Sequence, residues 1–173
     1  MRTHLSVPAG YAFRRSVFSH GWCDLPPFTA ADTGDWVATV VAIPGGGAAR
    51  MTLHRAEEGG VVLETRGSPP LATQRALRTA ARRMLGLDLD LPAATAHLAA
   101  DPVLGPLIAR RPGLRVPGAW APFEAGVHAI VGQHRGAAAT AALLGHLVRR
   151  HGTPIPGLRH GLTHAFPAAP ALM

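Results

Sequence analysis

Lysine is absent from this chain, cysteine occurs once, and no acidic residue occurs from residue 125 to residue 173. A lone Cys23 excludes an internal disulfide, a four-thiolate zinc site and an iron–sulfur cluster. It reads as a small buried or half-buried side chain. No apolar run approaches the length needed to span a bilayer. Met1-Arg2-Thr3-His4 is not followed by an apolar stretch, so no signal peptide is expected and the default is a soluble cytoplasmic protein. Trp22, Trp36 and Trp120 are too few and too scattered for a base-stacking platform.

What is present is strongly basic. All 17 cationic residues are arginine, against 10 carboxylates, for a net charge of +7. That balance suits a polyanionic partner, because arginines that neutralise phosphates release counterions. A solvated basic surface is the alternative on charge alone. At 47% hydrophobic residues, the 173-residue chain can bury a core and is long enough for one ordinary domain or two small ones.

The hydrophobic pattern divides the chain near residue 90. Leu5 to Val7 reads as a short strand closed by Pro8-Ala9-Gly10, and Arg15 to Trp22 as a short helix ended at Leu25-Pro26-Pro27. Trp36 to Ile43 is rich in β-branched residues and stops at Pro44-Gly45-Gly46-Gly47. Arg50 to Arg55 alternates, and Glu57-Glu58-Gly59-Gly60 turns it into Val61 to Arg66. These three segments predict an antiparallel meander. From Leu71 to Leu85 the period becomes helical, with Leu77, Ala81, Met84 and Leu85 on one face and Gly86 as the stop. Arg75, Arg78 and Arg82 line another face, either as a solvated row or as a DNA contact.

Beyond Asp90 the pattern is wholly helical. Pro92 can open one short helix, and Asp101-Pro102 can cap another to about Arg110. A rigid loop, Arg111 to Gly118, follows. Phe123, Val127, Ile130 and Val131 then share a helical stripe. A further helix from about Ala137 to Arg150 is expected to turn Leu143, Leu144, Leu147 and Val148 inward, with a break at Gly132 or Gly136. The expected division is therefore 1–90, α+β, and 91–173, all-α.

The stretch Arg111 to Gln133, RPGLRVPGAWAPFEAGVHAIVGQ, closely resembles the DNA-3-methyladenine glycosylase II family of the helix-hairpin-helix DNA glycosylase superfamily. The resemblance rests on Pro112 to Arg115, Val116-Pro117-Gly118, Phe123-Glu124, Val127, Ala129-Ile130 and Gly132-Gln133. It implies an α+β fold: a small antiparallel sheet with covering helices, followed by the first helices of an all-α glycosylase core. It also implies a partner, double-stranded DNA with alkylated bases, and excision of those bases by a monomer without metal or organic cofactor. A glycosylase must rotate its target nucleotide out of the stack, and something must fill the gap. In this family that work falls to the segment around the Gly-Gln pair, here Gly132, Gln133, His134 and Arg135. Gln133 can donate and accept at base edges, His134 can wedge or stack, and Arg135 can contact phosphate. His134-Arg135-Gly136-Ala137 departs from the family's usual run; the competing reading is that these residues merely end a core helix. The Pro-Gly loop is expected to share this DNA-facing surface. The resemblance also implies an aromatic wall for the base pocket, for which Phe13 and Phe18 are the nearest candidates beside an ordinary core role.

The family's Gly-rich hairpin and the aspartate after it have no counterpart here. Phe166-Pro167 resembles the start of the family's next helix, so the chain reads as truncated and no catalytic residue is assigned. Asp24, Asp32 and Asp35 fall around turns, and Glu124 sits where a negative charge suits a helix N-terminus. An interaction remnant without catalysis is the second reading. No metal site is expected either. His146/His151 and His160/His164 have suggestive spacing, but prolines crowd the region and no carboxylate or thiol lies near in sequence. Ser16, Ser19 and His20 lack an orienting acid.

Overall fold

In a computed structural model, β-branched and alternating segments pair into one five-stranded sheet. The residues described are 1–43, 45–57, 59–157 and 161–173, without the side chain of His20. The expectations at Pro44, at Glu58 and for the His160/His164 pair lie outside them. The strands are β1 (Arg2–Leu5), β2 (Phe28–Ala30), β3 (Trp36–Ala42), β4 (Ala48–Arg55) and β5 (Val61–Thr65), in the order β1-β5-β4-β3-β2 and antiparallel throughout. The meander is as read. Strand β1 begins three residues earlier than expected, and β2, only three residues long after two prolines, left no recognisable pattern.

Register explains the core. Val37 lies opposite Leu53, and Leu53 opposite Leu63, so one face of the sheet is apolar along its width. Two helices cover it, α1 (Phe13–Val17) and α2 (Leu71–Met84), bringing in Phe13, Val17, Leu77, Ala81 and Met84. The expected helix over Arg15 to Trp22 is two pieces. The α-turns end at Phe18, and Ser19–Asp24 continues as a 3-10 helix in which Gly21 takes φ 73, outside the range of a right-handed helix. The Arg row on α2 is mostly solvated; Arg82 is committed to Asp88 at 2.7 Å.

The second half is helical: α3 (Leu91–Ala99), α4 (Leu104–Ala109), α5 (Pro122–Gly132) and α6 (Ala137–His151). The Asp90 carboxylate accepts from the Ala93 amide at 3.3 Å and caps α3. Asp101 accepts from Val103 and Leu104 at 2.8 and 2.9 Å, so α4 starts at Leu104 rather than beside Pro102. A small second core joins Leu144 and Val148 of α6, Val127 and Val131 of α5, Phe166, and Leu25 from the first half. Beyond α6 the chain returns antiparallel to itself. Ile155 donates to the Thr163 carbonyl at 2.8 Å and Ala165 to that of Thr153 at 2.9 Å, and this brings Phe166 back to the helix.

Two expectations for the helical half are corrected. Phe123 and Ile130 are exposed, Ile130 at 70%, although they share the predicted stripe with Val127 and Val131. Leu143 is also exposed, while Leu144 and Val148 are buried. Helices α5 and α6 pack mainly on each other, which leaves Ile130 and Leu143 outside the seam, while Phe123 meets only one edge of the Phe166 ring. Helices α3 and α4 contribute no buried residue at all.

Candidate nucleic-acid interface

Of the four residues proposed to meet DNA, Gly132 ends α5 and the other three form the turn that leads to α6. Helix α5 stops at Gly132, α6 begins at Ala137, and Gln133, His134 and Arg135 stand exposed between them. Gln133 donates its amide to the Ile130 carbonyl at 3.3 Å, and Arg135 donates to Gly132 at 3.4 Å. The chain reverses direction at His134, which takes φ 58. A left-handed backbone is uncommon for a residue with a Cβ, and histidine is among those that tolerate it. The exposed side chain at the reversal itself is a flat, rigid, polar ring. At the root of the turn, the Thr140 hydroxyl donates to the Gly136 carbonyl at 3.1 Å and anchors the first turn of α6.

The Pro-Gly loop is a strap across the first half of the molecule, with Arg111 exposed at its start. Ala12 donates to the Gly113 carbonyl at 2.9 Å, and Gly118 donates to that of Met84 at 2.8 Å. Between these points Arg115 is buried at 5% exposure. Its amide donates to the Ser16 hydroxyl at 3.0 Å, and its guanidinium donates to the carbonyls of Gly86 and Leu89 in the turn between α2 and α3. Arg83 answers from α2 by donating to the Trp120 carbonyl at 2.6 Å. A guanidinium so engaged ties together two carbonyls of the turn that follows α2. It is not available to phosphate. Nothing in the sequence marked Arg115 as interior; arginine is ordinarily exposed.

Glu124 is also unlike its sequence reading. It is 2% exposed, and burial pushes its carboxyl up to about 8, so it is largely protonated at neutral pH. The favourable placement of an anion at the start of α5 does not arise. Its Oε1 has no hydrogen-bond partner among the described residues, nor has Nε2 of His128 one turn later. Burial lowers the pKa of His128, against an opposing pull from the Pro26 carbonyl. Glu124 borders a small apolar cavity of about 230 Å³ with Trp120, Phe123 and Phe166.

The two aromatic candidates separate. Phe13 is enclosed in the sheet core at 3% exposure, because α1 turns it toward the strands; it can wall no open pocket. Phe18 is 39% exposed and carries the Arg14 guanidinium 5.8 Å from its ring centre. Of the turn residues and the aromatics, only the former lie together on one loop. Among the described residues, no three of His, Cys, Asp and Glu come together as a metal site would require, and no helix is long and apolar enough to cross a membrane.

Residues 29–121, just over half of the chain, match the AlkA N-terminal domain family. The chain belongs to that family. The AlkA-type match runs from β2 through the strap, so the loop that Gly113 and Arg115 fasten to the sheet is part of it. Curated relatives from two strains of Mycobacterium tuberculosis, each described as a "Probable bifunctional transcriptional activator/DNA repair enzyme AlkA", are 36% identical over 87 residues. That stretch is 50% of this chain and 18% of theirs. Among solved structures, a 3-methyladenine DNA glycosylase from Archaeoglobus fulgidus superposes with a TM-score of 0.75 at 19% identity, over 99% of this chain and 57% of that one. MBOgg1 in complex with a low-affinity DNA ligand superposes at 0.68 with 16% identity, over 99% and 56%. The α+β arrangement is thus shared with both solved structures, and this chain of the AlkA N-terminal domain family spans little more than half the length of each.

Proposed function

We propose that this chain forms the N-terminal domain (1–90) and the DNA-opening turn (within a partial helical core, 91–173) of an alkylated-base DNA repair glycosylase. By itself it binds duplex DNA without releasing a base. The observation that carries the reading is the exposed Gln133-His134-Arg135 turn, held by two helices with His134 at its apex in a left-handed backbone. That shape suits insertion into a minor groove: a ring to fill the gap left by a rotated nucleotide, an amide for base edges, and a guanidinium for phosphate. The domain division is supported by the two cores: the fully buried members of the first end at Leu87, with Trp120 packed against it from the second half, and the second is built from Val127 onward with Leu25 added.

The lack of turnover follows from charge. As the base leaves, the sugar becomes cationic and needs an ionised carboxylate beside it. Glu124 is the last carboxyl in the chain, and its burial favours the neutral form. Of the two aromatics, Phe18 remains the candidate wall of a base pocket. The reading takes the chain as a cytoplasmic monomer that uses no metal or organic cofactor. An assay of base release from duplex DNA carrying 3-methyladenine, at saturating protein, tests it: the expected result is binding with no base in the supernatant. Release at the rate of an active glycosylase would overturn it.

A second reading, a DNA-binding remnant indifferent to damage, is favoured by the same missing anion. Equal affinity for methylated and unmethylated duplex would select it.

A further inference from the structure

A second surface, away from the α5–α6 turn in sequence, is more strongly basic. Arg14 and Arg15 of α1 and Arg110 and Arg111 after α4 converge on one open cleft of about 510 Å³, with Phe18 on its wall. Two elements separated by some ninety residues of chain have been brought together with four guanidiniums and no carboxylate lining the space. Among the described residues, none of the four lies within 4 Å of a carboxylate; the ion pairs are His54–Glu64, Arg55–Asp35 and Arg82–Asp88.

Local structure uses only a fraction of these donors. Arg14 donates from Nε to the Thr33 carbonyl at 3.0 Å, and Arg15 from Nη1 to that of Pro112 at 3.4 Å. Each guanidinium has five N–H groups, so both are oriented by one bond and keep the rest. Arg110 and Arg111 are exposed at the end of α4. Like charges assembled this closely repel one another in the free protein, and a multiply charged anion removes that cost. A single carboxylate would leave most of the charge unanswered. A phosphodiester strand, with charges at regular intervals and faces that stack on an aromatic ring, answers all four and uses Phe18 as well.

We infer that the cleft between α1 and the end of α4 grips the phosphate backbone of a nucleic-acid strand through Arg14, Arg15, Arg110 and Arg111. This contact is additional to the α5–α6 turn. It shares with the proposed function the identity of the polyanion and the ring of Phe18.

The test is fluorescence anisotropy of the whole chain with a labelled duplex, repeated over a series of salt concentrations. Arg110→Gln with Arg111→Gln removes two charges from exposed positions. The control, Arg75→Gln with Arg78→Gln, removes two from the solvated face of α2. The expected result is a loss of about tenfold in affinity at low salt, with the slope of log affinity against log salt shallower by about 1 to 2, for the cleft pair only. Arg110→Lys with Arg111→Lys, which keeps the charges, is expected to retain most of the affinity. Equal effects of cleft and control pairs, or no effect of the cleft pair in a variant whose thermal transition is unchanged, overturn the inference. Tripolyphosphate that displaces the duplex at a concentration comparable to that of DNA phosphate would also overturn it, in favour of a free polyphosphate site. Arg135→Gln separates the two claims: weakened binding there, with none from the cleft pair, leaves the turn standing and removes the cleft.

Discussion

Gly113 lies so close to Gly10 that a Cβ at 113 would stand 1.8 Å from the Gly10 carbonyl oxygen. This approach lets the Ala12 amide reach the Gly113 carbonyl and starts the strap that ties the Arg111–Gly118 loop to the sheet domain. Gly113 also holds φ 72. Gly113→Ala therefore meets both a backbone collision and a left-handed conformation. It is expected to destabilise the protein by roughly 3 kcal/mol or more. Chemical denaturation checks this, and an unchanged midpoint would show that the loop is not fastened there.

Arg115 is the second fastening. Arg115→Met keeps much of the stem but removes the donor to the Gly86 carbonyl and one of the two donors to that of Leu89. The expected loss is about 2–3 kcal/mol. Duplex affinity, measured where the variant is fully folded, should not change. A variant of normal stability that has lost DNA binding would return Arg115 to the interface.

Glu124 gives stability a pH dependence of defined sign. Burial pushes its carboxyl up to about 8 in the folded protein, against an ordinary value of 4.5 when unfolded. Between those values the folded state holds the extra proton. The contribution is thus complete below about 4.5 and declines as pH rises through 8. Glu124→Gln, isosteric and neutral, should flatten this dependence, and at the alkaline end be more stable than the parent by about 1–3 kcal/mol. Melting temperatures across that range provide the check; parallel curves for parent and variant would mean that Glu124 is ionised when folded.

His134 pays a conformational cost for its place at the turn. His134→Gly removes the Cβ that resists φ 58, so the fold is expected to gain about 0.5–1 kcal/mol. Duplex affinity should fall at the same time, because the ring is gone. Stability and binding that move in the same direction would contradict a wedge.

The sheet was legible in the sequence where alternation ran long enough, as in Arg50 to Arg55, and where β-branched residues clustered, as in Trp36 to Ala42. Helix α2 was legible because Leu77, Ala81 and Met84 recur at helical spacing and are all buried. Strand β2 was not, since three residues cannot display a period. The inward face of α5 misled for a different reason. Ile130 satisfies the pattern of a buried stripe, but burial depends on a neighbour, and sequence spacing reports only the readiness of a face. The turn at Gly132 to Arg135 was placed through the motif, and the structure presents it as one exposed loop. The burial of Arg115 and the neutral state of Glu124 were not legible, because only tertiary structure brings the Gly86 and Leu89 carbonyls to the one and shuts water from the other.

The central claim, that the His134 turn opens duplex DNA, is tested most directly with 2-aminopurine placed beside the target position. Its fluorescence rises when its neighbour unstacks. The account predicts a rise on saturation with the parent chain, lost in His134→Ala although that variant still binds. Saturated binding by the parent with no change in 2-aminopurine fluorescence would contradict it.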